Sequence, residues 1–209
     1  MTIKRAYSVD QILSKKFIDI KFEDEWLATF GEPEASGVWL IWGQSGSGKS
    51  RFCMQLAKEL TKYGKVAYNS LEEGARKTMQ KNIRECRMHE VKKKFIVLNR
   101  EPIEHLKIRL KKKQAPRFVF IDSFQYTGLT RNQYIKLKEE FPDVLFIFIS
   151  HAEGKEPQGN TAKFVRYDSD IKIRIEGYKA FPTSRYGGGE PYIIWKEGAR
   201  DYWAGITAT

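Results

Sequence analysis

Residues 43–50 read GQSGSGKS and match G-x-x-x-x-G-K-[ST] at every fixed position. No other stretch limits the possible folds so sharply, because the pattern works only between a strand and a helix. Residues 38–42 are apolar and read as that strand, while Phe52, Leu56, Leu60 and Tyr63 recur at helical spacing until Gly64 stops them. Glycines at 43, 46 and 48 let the backbone curl so that its N–H groups converge on an anion, and the helix N-terminus adds partial positive charge. A chance glycine-rich turn has the same letters but lacks this context. The loop predicts phosphate contacts from Gly43, Gln44, Ser45, Gly46, Ser47, Gly48, Lys49, Ser50 and Arg51, with Lys49 reaching the β and γ phosphates and the Ser50 hydroxyl on Mg²⁺.

Downstream the pattern repeats. Residues 66–69 and 95–98 read as strands and residues 118–121 and 144–149 as fully buried ones, and helical spacing separates them: Met79, Ile83 and Cys86 or Arg87, then Ile103, Leu106 and Leu110, then residues 130–141. Alternation of this kind predicts an α/β fold, a largely parallel sheet with helices on both faces. The tail differs. Ile171, Ile173 and Ile175 alternate with charged residues, residues 192–195 look similar, and the three glycines at 187–189 read as a hairpin turn. Residues 170–209 are therefore expected to extend the sheet in antiparallel fashion. The chain's 209 residues suit one core, with residues 1–37 as a lead-in.

Composition narrows the setting. Hydrophobic residues at 41% and charged residues at 30% are a globular balance. The opening residues MTIKRAYSVD carry no apolar stretch and the longest apolar run, residues 144–149, is too short to span a bilayer. Cys53 and Cys86 lack the spacing of a metal site or disulfide framework, so a reducing cytoplasm is expected. A net charge of +11 draws the chain toward polyanions, DNA or RNA being the commonest. The plainer alternative is solvated helix surface, with the lysines at 92–94 and 111–113 placed to favour helix dipoles.

Asp122 closes a buried run, where a carboxylate can hold a magnesium shell; capping the following turn is the alternative. Ser123 follows it, so no Asp-Glu pair supplies a water-activating base there. Glu72 and Glu73 follow the second strand and on spacing alone serve equally as a base or as ordinary first-turn acids.

Taken in order, VWLIWGQSGSGKS, VAYNSLEE, FVFIDSF and LFIFISHAEGK resemble the RecA-like P-loop ATPases, particularly the RadA, KaiC and DnaB branch, over about residues 35–195. The resemblance implies that Tyr68, Ser70 and Glu72 match the family's tyrosine, serine and catalytic glutamate, which favours Glu72 over Glu73. It implies that Ser150 and His151 take the γ-phosphate sensor position and that residues 154–162 form a mobile DNA-contacting loop. Asp170 resembles the aspartate before the late strands. TSRYG at 183–187 resembles the stretch that reaches a neighbour's nucleotide, with Arg185 and Gly187 matching and Thr183 in place of lysine. The family's zinc-finger, protease-like and helicase N-terminal modules are absent from these residues, as in accessory or mobile-element ATPases. The expectation is a Mg²⁺-dependent ATPase acting on DNA, with single strands favoured, in recombination, repair or replication, as a ring or filament of identical subunits. ATP is expected over GTP because no Asn-Lys-x-Asp motif occurs. The rivals are a P-loop small-molecule kinase and a nucleotide-binding regulatory protein with weak hydrolysis.

Overall fold

The apolar runs lie side by side in the computed structural model, which describes residues 6–207. In chain order the elements are α1 (Val9–Leu13), α2 (Asp24–Phe30), β1 (Gly37–Gly43), α3 (Lys49–Leu60), β2 (Val66–Ser70), α4 (Lys77–Glu85), β3 (Phe95–Asn99), α5 (Ile103–Leu110), β4 (Phe118–Asp122) and α6 (Arg131–Glu140). There follow β5 (Leu145–Glu153), β6 (Glu156–Pro157), α7 (Asn160–Asp168), β7 (Ile171–Glu176), β8 (Lys179–Ser184), β9 (Tyr192–Ile193) and α8 (Lys196–Thr207). The sheet runs β3-β2-β4-β5-β1-β7-β8-β9, with β6 attached to β5. Pairing is parallel from β3 through β7 and antiparallel for β8 and β9.

Continuous apolar strands follow from burial on both faces. Trp39, Ile41, Tyr68, Phe118, Phe120 and Ile147 pack on one side with Phe52 and Leu56 of α3. Their neighbours Val38, Leu40, Val119, Ile121, Phe146 and Phe148 pack on the other with Leu106, Tyr134 and Val165 from α5, α6 and α7. Because successive side chains point to opposite faces, each run supplies both cores at once.

The tail and the expected open loop come out differently from the sequence reading. The turn between β7 and β8 falls at Gly177 and Tyr178, the latter at φ 57°. Residues 187–189 lie instead in the longer connection to β9, folded against α2, where the Gly189 N–H donates to the Thr29 carbonyl at 3.0 Å. The strand expected at 192–195 is only Tyr192–Ile193, and a C-terminal helix follows. That helix packs back onto the β7–β8 turn, with the Trp203 indole N–H donating to the Gly177 carbonyl at 3.1 Å. Residues 154–162 form no open loop: a tight turn after β5 returns as β6, and α7 then begins at Asn160. No helix among the described residues is long and apolar enough to cross a membrane. Residues 1–5 and 208–209, the ends of the lead-in and of the extension, lie outside the described residues.

Candidate functional site

β1 sits inside the sheet between β5 and β7, so the loop after it opens at the crevice along the carboxyl ends of the parallel strands. Gly48 is the residue before α3 at φ 101°, a left-handed conformation suited to glycine. A Cβ on Gly43 would stand 2.4 Å from the Ile175 carbonyl oxygen, so strand packing admits no side chain there. The Tyr178 N–H donates to the Ser47 carbonyl at 3.1 Å and braces the loop from β7–β8. Lys49 Nζ donates to the Gly43 and Gln44 carbonyls at 2.7 and 3.0 Å, folding its head across the loop mouth. Burial lowers its pKa, against the opposing influence of Cys53, Asp122 and Glu72.

Opposite the loop stand the ends of β2, β4 and β5. Register pairs Ser70 with Asp122, Asp122 with Ile149, and Gly43 with His151, bringing their neighbours to one edge. The Tyr68 hydroxyl donates to Asp122 Oδ2 at 2.6 Å. Burial pushes the Asp122 carboxyl up to about 6; the Tyr68 hydrogen bond works against this and the Glu72 charge adds to it. Leu71 and Glu72 N–H groups both donate to the Asp122 carbonyl, which fixes the turn carrying Glu72. Glu72 Oε2 lies 3.1 Å from His151 Nε2, and Ser123 Oγ lies 3.4 Å from the same nitrogen. Glu73 lines the cleft too, but its Oε2 is engaged, accepting from the Thr78 hydroxyl at 2.8 Å in the first turn of α4.

These groups share one cleft of about 460 Å³ that runs from Ser45, Gly46, Gly48, Lys49 and Ser50 to Asp122 and His151. Ser50 and Asp122 provide one hydroxyl and one carboxylate. Among the described residues no three His, Cys, Asp or Glu side chains cluster as a metal site. The donor set suits a magnesium ion that takes its remaining ligands from water and phosphate oxygens.

Arg185 is not part of this cleft. It follows β8 at the opposite sheet edge, 3.4 Å from Asp170, whose Oδ2 accepts the Val38 N–H at the start of β1. Thr183 pairs with Lys172 at that edge too. Residues without a motif join the site: Gln125 Nε2 donates to Ser150 Oγ at 2.7 Å, its Oε1 accepts the His151 N–H, and Arg100 donates to the Glu72 carbonyl at 3.1 Å. Their only sequence signal is closeness to strand ends.

No family model and no curated protein matches the chain. Solved structures do. The flagellar accessory protein FlaH from Methanocaldococcus jannaschii aligns at TM-score 0.58 and 15% identity, over 85% of this chain and 97% of that one. A solved ATPase domain aligns at TM-score 0.53 and 15% identity, over 79% of this chain and 84% of that one. The KaiC-like protein PH0186 from Pyrococcus horikoshii OT3 aligns at TM-score 0.50 and 20% identity, over 77% and 85%. The fold is RecA-like, a mostly parallel sheet with antiparallel C-terminal strands and flanking helices. It is the fold expected for the RadA, KaiC and DnaB branch, with the antiparallel extension on the β7 side of a parallel RecA-like sheet.

Proposed function

We propose that this protein binds Mg²⁺-ATP, hydrolyses it, and couples the cycle to DNA during recombination, repair or replication. One observation carries the reading. A braced P-loop faces, across a single cleft, a buried carboxylate that accepts from Tyr68 and a glutamate 3.1 Å from a histidine. The loop N–H groups and the N-terminus of α3 bind and orient the phosphates, and the Lys49 head exchanges its loop carbonyls for phosphate oxygens. Bound Mg²⁺ would supply charge neutralisation at the phosphates. Ser50 and Asp122 would hold it. Glu72 accepts the proton of the attacking water, while His151, 3.1 Å from that carboxylate, fixes its direction and answers to the γ-phosphate.

Partner readings rest on charge and placement. The net charge is +11, and Arg76, Lys77, Lys81 and Arg84 cluster at and within α4, which borders the crevice. Lys155 and Lys163 stand on the β5–β6 turn and on α7. Arg185 cannot serve its own cleft, so its family role requires a second copy, in a ring or filament. Turnover of ATP with and without single-stranded DNA tests the coupling. Stimulation, with affinity falling steeply as salt rises, supports it; neutralising Lys155 and Lys163 together then flattens the salt slope by at most ~2 units. Turnover that instead requires a small metabolite, with no DNA binding at low salt, sinks it in favour of a kinase.

A further inference from the structure

The turn that carries Glu72 leaves β2 at Ser70 and does not become helix until Lys77, so neither a sheet ladder nor a helix takes its peptide groups. Among the described residues no backbone N–H donates to the Glu72 or Glu73 carbonyl. One side-chain nitrogen serves both: Arg100 Nη2 donates to the Glu72 oxygen at 3.1 Å and to the Glu73 oxygen at 3.3 Å. The end of β3 closes the rest of the turn. The Arg100 N–H donates to the Ser70 carbonyl at 3.1 Å, Asn99 Oδ1 accepts the Ala75 N–H at 3.0 Å, and a Cβ on Gly74 would stand 2.5 Å from that same oxygen. Arg100 holds this place against its backbone preference, at φ 53° in the left-handed region that favours glycine. The residue after it is pinned: the Glu101 N–H donates to Asn69 Oδ1 at 3.1 Å, Asn69 Nδ2 donates to the Glu101 carbonyl at 2.7 Å, and Arg109 grips the Glu101 carboxylate at 2.9 and 2.6 Å. The exposed guanidinium therefore projects from a fixed backbone, and a strained residue kept for its side chain is a mark of function.

We propose that Arg100 is a positioning residue, which aims the Glu72 carboxylate by locking the peptide that follows it. The inference rests on the reading of Glu72 as the base and deepens it. The peptide before the Glu72 Cα is held through its N–H by the Asp122 carbonyl at 3.2 Å, and the peptide after it through its carbonyl by Arg100. Both backbone torsions of Glu72 are fixed in this way, and bonds from a charged donor are about twice as strong as neutral ones. Without Arg100 the second peptide is free to rotate and to carry the side chain with it. A displacement of ~1 Å at a reacting group is enough to slow a step by about 100-fold.

Single-turnover hydrolysis of Mg²⁺-ATP by the full chain, with ATP affinity and melting temperature measured on the same variants, separates aim from architecture. Arg100→Ala is expected to slow the chemical step about tenfold or more at unchanged ATP affinity. Arg100→Gly should melt above Arg100→Ala, because glycine suits the left-handed backbone, and yet turn over as slowly. Should Arg100→Ala fail to fold, Arg100→Gly carries the rate comparison against the parent. In a Glu72→Gln background the loss of Arg100 should cost less than about twofold more, since no base is left to aim. Parent-like rates in Arg100→Ala, a rate that recovers along with stability in Arg100→Gly, lost ATP affinity in place of lost rate, or a full further loss in the Glu72→Gln background overturns the positioning role and leaves Glu72 as the base. A Glu72→Gln protein that hydrolyses at the parent's rate, or a parent without turnover, overturns both.

Discussion

Two tyrosine–aspartate pairs of the same chemistry sit at opposite edges of the sheet. At the crevice, Tyr68 donates to Asp122 and no lysine or arginine reaches that carboxylate within ion-pair distance among the described residues. At the far edge, Tyr134 donates to Asp168 at the end of α7, and Lys138 completes the pair at 2.6 Å. Burial raises the pKa of both aspartates. At Asp168 the Lys138 and Tyr134 hydrogen bonds outweigh it and leave the group below the usual carboxylate range, whereas Asp122 ends at about 6. One pair is satisfied by the chain; the other is left short of positive charge. The contrast supports the proposed metal role of Asp122: a carboxylate kept costly in the free protein is one that a bound cation would relieve.

The contrast can be broken from either edge. Lys49→Ala should have the largest effect, removing the cation nearest the phosphate loop: ATP binding is lost and turnover with it, while the melting temperature stays near the parent's. Binding that survives would remove the P-loop from the mechanism. From the far edge, Arg185→Ala should cut turnover by up to ~1000-fold, and only through assembly, since the residue cannot reach its own cleft. Mixing Arg185→Ala with Glu72→Gln subunits should restore activity by rebuilding complete sites between neighbours. A fully active dilute monomer would contradict this. Glu72→Gln alone should slow hydrolysis ~100-fold with ATP still bound, and Glu73→Gln only a few-fold, because Glu73 is engaged by Thr78. A reversed ranking in single-turnover measurements would move the base.

How much of this was legible in the sequence depends on the physics of each part. The parallel strands announced themselves because burial on both faces leaves no polar positions, as in the run at 118–121. The phosphate loop was legible because only glycine fits its turns. The β7–β8 hairpin was not: its turn carries Tyr178 in a left-handed conformation that sequence does not mark, and Pro182 disguises β8 as a non-strand. The triple glycine signalled a turn and is a contact loop instead, where a Cβ on Gly188 would stand 2.7 Å from the Gly31 nitrogen. Spacing could not separate Glu72 from Glu73, since both follow β2. Their partners, His151 and Thr78, separate them only in three dimensions. Arg100 and Gln125 belong to no motif.

The smallest expected effect is the sharpest test of the two aspartates, because it differs in sign. The folded pKa of Asp122 lies above its unfolded value, so the fold holds more protons than the unfolded chain between about pH 4 and pH 6, and stability from this group falls as pH rises through that window. At neutral pH the ionised group opposes folding, and Asp122→Asn should stabilise the ligand-free protein by roughly 1–3 kcal/mol, given about 1.4 kcal/mol for each pKa unit. That gain should vanish below about pH 4, where both states are protonated. Asp168 runs the other way. Its depressed pKa adds stability above the ordinary carboxylate range and loses it as pH falls, so Asp168→Asn should destabilise near neutrality, by about 1 kcal/mol because both partners are partly exposed to solvent. Thermal melts across this pH range then give two curves of opposite sign that converge in acid. With added Mg²⁺-ATP the parent should gain stability that Asp122→Asn does not, reversing the order of the two proteins. If Asp122→Asn instead melts early at neutral pH, as Asp168→Asn should, Asp122 is a structural group, and the crevice loses the feature that distinguishes it from the far edge.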